Sequence, residues 1–437
     1  NTIPSASDTS STNGRIPLGT SGKGDDAHAY STPSVIKDGD TYKMWSSGHD
    51  GATVRIYYAT SPDGLTWTKY DNTIPSNSDT SSTNGRIPLG TSGKGDDVHA
   101  YMPSVIKDGD TYKMWYAGSD GSAYRLYYAT SPDGLTWTKY DNTIPSASDT
   151  TSTNGRIPLG TSGKGDDAHV YGHTIIKDGD TYKMWYGGHD GATVRIYYAT
   201  SPDGLTWTKN DNTTASTCDS GGSCEGNGKI GLGTSGKGDD VQVYYPTVIK
   251  DNGVYKIWYA GHDGNNIRLY MANSSDGLTW TKQDNTIPSN SDTSSTNGRI
   301  PLGTSGKGDD VHVHTGLAIV LDDDYYLFWY VGYDGSAYRI YHANIPRISP
   351  LSPSSDTTTR IEGSGSNKLT TGSPKVDNYT VALWHLDETN GDNAGVDVFD
   401  ETTNNNDGEF NGTNIATAVV DGISGKAVHL MGMQDLY

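Results

Sequence analysis

Five times along this chain two adjacent aspartates close a Gly-Asp-Asp run: Asp25/Asp26, Asp96/Asp97, Asp166/Asp167, Asp239/Asp240 and Asp309/Asp310. Two residues past each pair stand His28, His99, His169, Gln242 and His312. Two further on stand Tyr30, Tyr101, Tyr171, Tyr244 and His314. Neighbouring carboxyls can divide acid and base work when their environments differ. Imidazole can bind a metal or an anion, and tyrosine offers an apolar face with a polar tip. A second set, His49, His189 and His262, sits in Gly-His-Asp-Gly segments, with Ser119 and Tyr333 at the same place in the other copies. All of these are candidate ligand-binding residues.

The elements that must position them repeat. Near-copies begin at Asn1, Asn72, Asn142, Asn212 and Asn285 and fill residues 1–345. In the second copy, strands are expected over 103–107, 111–117, 124–129 and 135–139. Period-two alternation, aromatic enrichment and Asp-Gly turns all favour an antiparallel meander. Four strands in each of five units predict an all-β fold, a five-bladed β-propeller whose first strands line a central channel. No helical period is present. The fifth copy lacks the Asp-Gly-Leu-Thr-Trp-Thr-Lys strand, so a similar segment is expected upstream of Asn1 to complete it. Asn1, at a repeat boundary and with no initiator Met or signal peptide before it, reads as a processed or incomplete start.

The segments PSVIKDGDTYKMWYAG and YYATSPDGLTWTKYDNTIP resemble the blades of the furanosidase-like superfamily, glycoside hydrolase families 32, 43, 62, 68 and 130 among them. The resemblance implies an Asp base, a pKa-tuning Asp and a Glu acid around the channel mouth, each from a different blade. Asp26, Asp97 and Asp167 are the catalytic candidates on that reading. The third blade, where the acid is expected, holds no Glu, and Glu225 is the only Glu before the linker. SPDGLTW is similar to the sialidase Asp-box, but its Asp and Gly are adjacent, so it is read as a turn. Residues 346–377, rich in Ser, Thr, Pro and Gly, read as a linker. From Asn378 to Tyr437 the ALWHLDE, NNNDGEFNG and GKAVHLMG segments resemble the opening of a laminin-G or concanavalin-A-like jelly roll, which makes the C-terminus read as truncated too.

Composition narrows the partners. The net charge of -20 disfavours nucleic acid. No run of 18 apolar residues exists to span a membrane. Hydrophobic content is only 32%, so 30 Tyr and 10 Trp must supply much of the core. Of the 52 acidic residues 47 are Asp, a turn former and a ligand of hard cations. Cys218 and Cys224 share one loop and are expected to form a disulfide, which fits an extracellular or cell-surface setting. Asn212, Asn273, Asn378 and Asn411 match the N-glycosylation pattern.

Two readings of the His ring stay open: an axial metal or anion site, or hydrogen bonds from each His to its Gly-Asp-Asp neighbour. The Gly-His-Asp-Gly turns are either shallow sugar sites or plain hairpin turns. The Ser/Thr-rich loops before each Gly-Asp-Asp are candidates for calcium, O-glycans or subunit contacts. Arg55, Arg125, Arg195, Arg268 and Arg339 are expected in structural ion pairs, and the Trp residues between blades. Five equal copies do not display an asymmetric carboxylate set. The leading expectation is therefore a non-catalytic propeller that binds glycans or surface polysaccharides multivalently. A glycoside hydrolase acting on furanosides or β-mannosides is the second reading. A self-assembling subunit of an extracellular fibre or sheath is the third.

Overall fold

A computed structural model describes residues 2–3 and 10–347, apart from 12, 30, 79–80, 147–150, 221, 225, 289–297 and 322–324, together with three strands further on. Residues Asn1–Ile348 form one compact unit and Ser349–Tyr437 a second. In the second, Trp384–Asp387, Val396–Asp400 and Gly408–Phe410 make a three-stranded antiparallel sheet. The linker and the rest of the expected jelly roll lie outside the described residues.

The first unit is an all-β propeller of five antiparallel blades. The second blade shows the plan: an inner strand His99–Asp108, then Thr111–Ser119, Tyr124–Ser131 and an outer strand Trp137–Lys139. The inner strand starts four residues earlier than its apolar pattern suggests, so His99 and Tyr101 lie on it. A bulge between Tyr101 and Ser104 interrupts its ladder. Met102 has φ 54° there, as Ser31, Gly172 and Tyr245 have similar values in their blades. The bulge turns the His-x-Tyr half and the Val-Ile-Lys half toward different stretches of the channel.

Blades join through aromatic edges and a charged clamp. Trp45 meets Trp137 edge to face at 5.8 Å, Trp115 meets Trp207 at 5.9 Å, and Trp185 meets Trp280 at 5.9 Å. Trp329 meets Trp67 at 5.7 Å and Ile16 bridges Ile340, so blade five abuts blade one and the ring closes. The expected inter-blade role of the tryptophans holds. At the far end of the inner strand, Asp38 pairs with Lys43 of its own blade and with Lys107 and the Tyr112 hydroxyl of the next. These donors hold its carboxyl far below the usual range, Lys107 foremost. Asp108 and Asp178 repeat the clamp.

The long loops are straps. Ser10–Ser11 pairs with outer strand Trp67–Lys69, Ser81–Ser82 with Trp137–Lys139, and Thr151–Ser152 with Trp207–Lys209. Each strap protects an edge that would otherwise offer free backbone groups. It then crosses to the preceding blade, where Ile87 bridges Ile56 and Ile157 bridges Leu126. In blade four the Cys218–Cys224 disulfide shapes the strap, and Ser223 bridges Thr281.

Candidate functional site

The Gly-Asp-Asp carboxylates are not arranged around the channel. The first of each pair is buried in its own blade: Asp25 is 6% exposed, Asp309 2%, and Asp96, Asp166 and Asp239 0%. Asp96 accepts Lys139 Nζ at 2.8 Å from the outer strand, Asn142 Nδ2 at 2.9 Å and the Tyr116 hydroxyl at 2.9 Å. Asp25 with Lys69, Asp166 with Lys209 and Asp239 with Lys282 repeat the ion pair at 2.6–2.7 Å. The preceding glycine is obligatory, because a Cβ on Gly95 would stand 1.6 Å from Tyr127 Oη. These five aspartates are thus fold-holding groups, a correction to their reading as ligand-binding residues. The second of each pair accepts a backbone N–H within its own turn: Asp26 from Gly22, Asp97 from Gly93, Asp167 from Gly163, Asp240 from Gly236 and Asp310 from Gly306, all at 2.7 Å. None of the ten lines either channel cavity. Glu225 lies outside the described residues.

The histidines do converge. His28, His99 and His169 from the inner strands, and His49 and His189 from the turns, line a cavity of about 390 Å³ at one end of the channel. Tyr101, Tyr171, Tyr124, Tyr245, Met102 and Val54 complete its wall. Within a blade the two sets meet: His28 stacks on His49 at 5.4 Å, and His169 on His189 at 5.2 Å. The inner-strand imidazoles do not bond the adjacent aspartates. Each Nδ1 instead accepts a backbone N–H from a neighbouring blade: His99 from Val54 at 3.3 Å, His169 from Tyr124 at 3.4 Å, His312 from Ile267 at 3.3 Å and His28 from Tyr338 at 3.4 Å. Nδ1 of His49 and of His189 accepts from its own turn, at Gly51 and Gly191, both 3.3 Å. A neutral ring that accepts at Nδ1 carries its proton on Nε2. Burial, then neighbouring His and Arg groups, pulls the pKa of His28, His99, His169 and His312 below the ordinary value, and burial does the same for His49. The cavity is therefore walled by imidazole and phenol rings. Among its described lining residues there is no carboxylate.

A second cavity of about 430 Å³ occupies the other stretch of the channel, lined by the Val-Ile-Lys halves of the inner strands. His173 is among its lining residues, 3% exposed, and neither ring nitrogen makes a hydrogen bond of normal geometry. This residue is not among those expected from sequence. The available signal is that the matching positions hold Pro33, Pro103 and Pro246.

The other candidates sort by position. Tyr244 is buried in the core, 6% exposed. His262 pairs across the blade with Gln242, and His312 stacks on Tyr333 at 5.7 Å; neither His lines the cavity. His314 is on the blade-five inner strand, and Tyr30 lies outside the described residues. The turn aspartates hold the strand-three arginines as expected, for example Arg125 with Asp120 at 2.8 Å. Cys218 and Cys224 are joined. Asn212 is 5% exposed and its Nδ2 donates to Asp166 at 2.9 Å, which corrects its reading as a glycan acceptor. Asn273 is half-buried between two strands, paired with Lys256 and Thr281, and is no better placed for a glycan. Asn378 and Asn411 lie outside the described residues. Among the described residues no three His, Cys, Asp or Glu side chains are grouped to hold a metal ion. No helix among them is long and apolar enough to cross a membrane.

No protein-family model matches the chain. Two uncharacterized proteins of Mycobacterium tuberculosis, MT1551 and Rv1502, are 36% identical over 113 residues, 24% of this chain and 31% of theirs. The chain thus spans about a third of the length of these curated relatives. Among solved structures, a BT0996 complex with RGII superposes with TM-score 0.52 and 17% identity, over 78% of this chain and 93% of that one. A glycoside hydrolase superposes with TM-score 0.52 and 17% identity, over 76% and 92%. The blade order, the closed ring and these superpositions agree: the chain is a five-bladed β-propeller that shares its fold with these two solved structures, one of them a glycoside hydrolase.

Proposed function

We propose that the propeller is an extracellular or cell-surface glycan-binding module whose binding site is the His/Tyr-walled channel mouth. The observation that carries this reading is the composition of the mouth. Burial lowers the pKa of His28, His49, His99 and His169, which favours neutral rings, and the four tyrosines of the wall offer faces and hydroxyls to a sugar ring. Binding pockets are mostly apolar with a few placed polar groups, and this wall has that make-up. Hydrolysis by the usual route needs two carboxyls flanking the scissile bond, whereas the nearest repeated carboxylates are engaged in ion pairs and turns. On this reading the turn histidines and the ring histidines serve one axial mouth rather than separate shallow sites on each blade. A glycoside hydrolase remains the competing reading because the superposed neighbours share the fold and one is such an enzyme.

A glycan array, followed by calorimetry on the best ligand, tests the proposal. Tyr171→Ala and His189→Ala are each expected to weaken binding about tenfold, near 1.4 kcal/mol, with an unchanged melting temperature. Absence of any glycan ligand would count against the module. Turnover of an aryl furanoside or β-mannoside that Asp167→Asn abolishes would establish the enzyme instead.

A further inference from the structure

The outer strand of blade four, Thr281–Lys282, and the residue that opens the next repeat, Asn285, meet inside the blade. Lys282 is 1% exposed, and Asn285 and Asp239 are 0%. One carboxylate holds amine and amide side by side. Asp239 Oδ2 accepts Lys282 Nζ at 2.6 Å, and Asp239 Oδ1 accepts Asn285 Nδ2 at 3.0 Å. A second carboxylate, from the cysteine strap, takes the same amide nitrogen: Asp219 Oδ1 accepts it at 2.9 Å. On the other side of that amide, the Ser220 N–H donates to Asn285 Oδ1 at 3.1 Å. Both ends of the Asn285 amide are therefore fixed while the lysine lies against the shared carboxylate. Burial lowers the pKa of Lys282 against the pull of Asp239, and a desolvated lysine amine is an activated nucleophile. Burial opposes the charge on Asp219, but hydrogen bonds from Thr234 and Asn285 bring its pKa down to about 2.

We propose that Lys282 and Asn285 become joined by an intramolecular isopeptide bond, made by the folded blade itself with Asp239 carrying the proton. The Lys282 ammonium gives a proton to Asp239, and the free amine forms a bond from Nζ to Cγ of Asn285. The negative charge that develops on Oδ1 is met by the Ser220 N–H, a donor already in place. The Cγ–Nδ2 bond then breaks, and Nδ2 leaves as ammonia with a proton from Asp239. Nζ gives its second proton to the same carboxylate, and the ammonia takes it away as ammonium. The products are a secondary amide and ammonium, so no outside reagent is consumed. Amine and amide are held on one carboxylate, which removes the entropic cost of bringing them together. The bond ties the end of an outer strand to the start of the fifth repeat. The inference is confined to blade four, where the amide donor and both carboxylates are described.

Mass spectrometry of the full chain, folded, reduced and digested with trypsin, tests this. Trypsin does not cut after an acylated lysine. Residues 269–299 are therefore expected as one peptide, uncut after Lys282 and one ammonia lighter than its sequence, with fragment ions placing the link between Lys282 and Asn285. Lys282→Arg keeps a cation beside Asp239 but removes the amine, so its peptide should be cut at position 282 and carry no ammonia deficit. Asp239→Asn keeps amine and amide but removes the proton carrier, and should also be cut after Lys282 at full mass. A parent peptide cut after Lys282 at full mass would overturn the inference whatever the variants do, so it stays testable if a variant fails to fold. An ammonia deficit that survives Lys282→Arg would place the loss within an asparagine ring closure and would overturn it too. A link that still forms in Asp239→Asn would remove Asp239 from the reaction and would overturn the mechanism proposed.

Discussion

Replacing Lys139 with methionine is expected to lower folding stability by about 3–5 kcal/mol, the usual cost of stripping one partner from a buried ion pair. The side chains of Lys139 and Asp96 are 2% and 0% exposed and lie 2.8 Å apart. Without the ammonium, the Asp96 carboxylate keeps only the Asn142 amide and the Tyr116 hydroxyl as side-chain donors, both neutral. The Pro88 carbonyl, which accepts from Lys139 at 2.8 Å, loses its donor as well. Paired replacement, Lys139→Met with Asp96→Leu, should recover most of the loss, because a well-packed apolar pair is often no worse than a buried ionic one. Chemical denaturation of the four proteins in a double-mutant cycle measures this. A single-mutant loss below about 1 kcal/mol would mean that the pair is solvated.

That pair also shows where sequence stops being legible. Strand order was readable because each strand is a local pattern: TYKMWYA alternates, and SPDGLTW and DGD mark turns. The inter-blade tryptophans were readable because few other places bury an indole in a chain this polar. The role of the Gly-Asp-Asp carboxylates was not. Their partner lysine lies 43 residues on in the second copy, at a strand edge that meets the aspartate only after the strap has wrapped round the blade. The one hint was a lysine closing an otherwise uncharged TWTK strand, with Asn three residues later, in four copies. The straps misled for a similar reason. Ser/Thr-rich loops look solvent-facing, yet three of them give a short strand to a blade edge. For the candidate cavity, the sequence reading included its five histidines with Tyr101 and Tyr171; it left out Tyr124 and Tyr245, and it included Tyr244, His262 and His312, which lie elsewhere. The bulge that divides the channel depends on left-handed backbone at Met102 and Tyr245, residue types that do not announce it.

Acidification is expected to unfold the propeller through its histidines, and His173 should supply the largest single share. Burial pushes its pKa down to about 4, with the Trp115 backbone acting in the opposite direction. The unfolded chain titrates near 6.5. Between those values the unfolded state binds more protons than the folded one, so stability rises with pH. The contribution is complete above about pH 6.5 and is lost as pH falls toward 4. A shift of that size corresponds to about 3 kcal/mol for a fully buried group. His342, held near pKa 4 by burial beside Trp329, acts in the same direction. The mouth histidines, lowered by burial and by one another, add smaller steps of the same sign. His173→Leu is the informative substitution, because apolar Pro33, Pro103 and Pro246 occupy the matching places in three other blades. The variant should match the parent protein at pH 8 and exceed it in melting temperature at pH 4.5, with a shallower slope of stability against pH between them. Parallel curves across that range would show that His173 keeps an ordinary pKa and that the channel around it admits water.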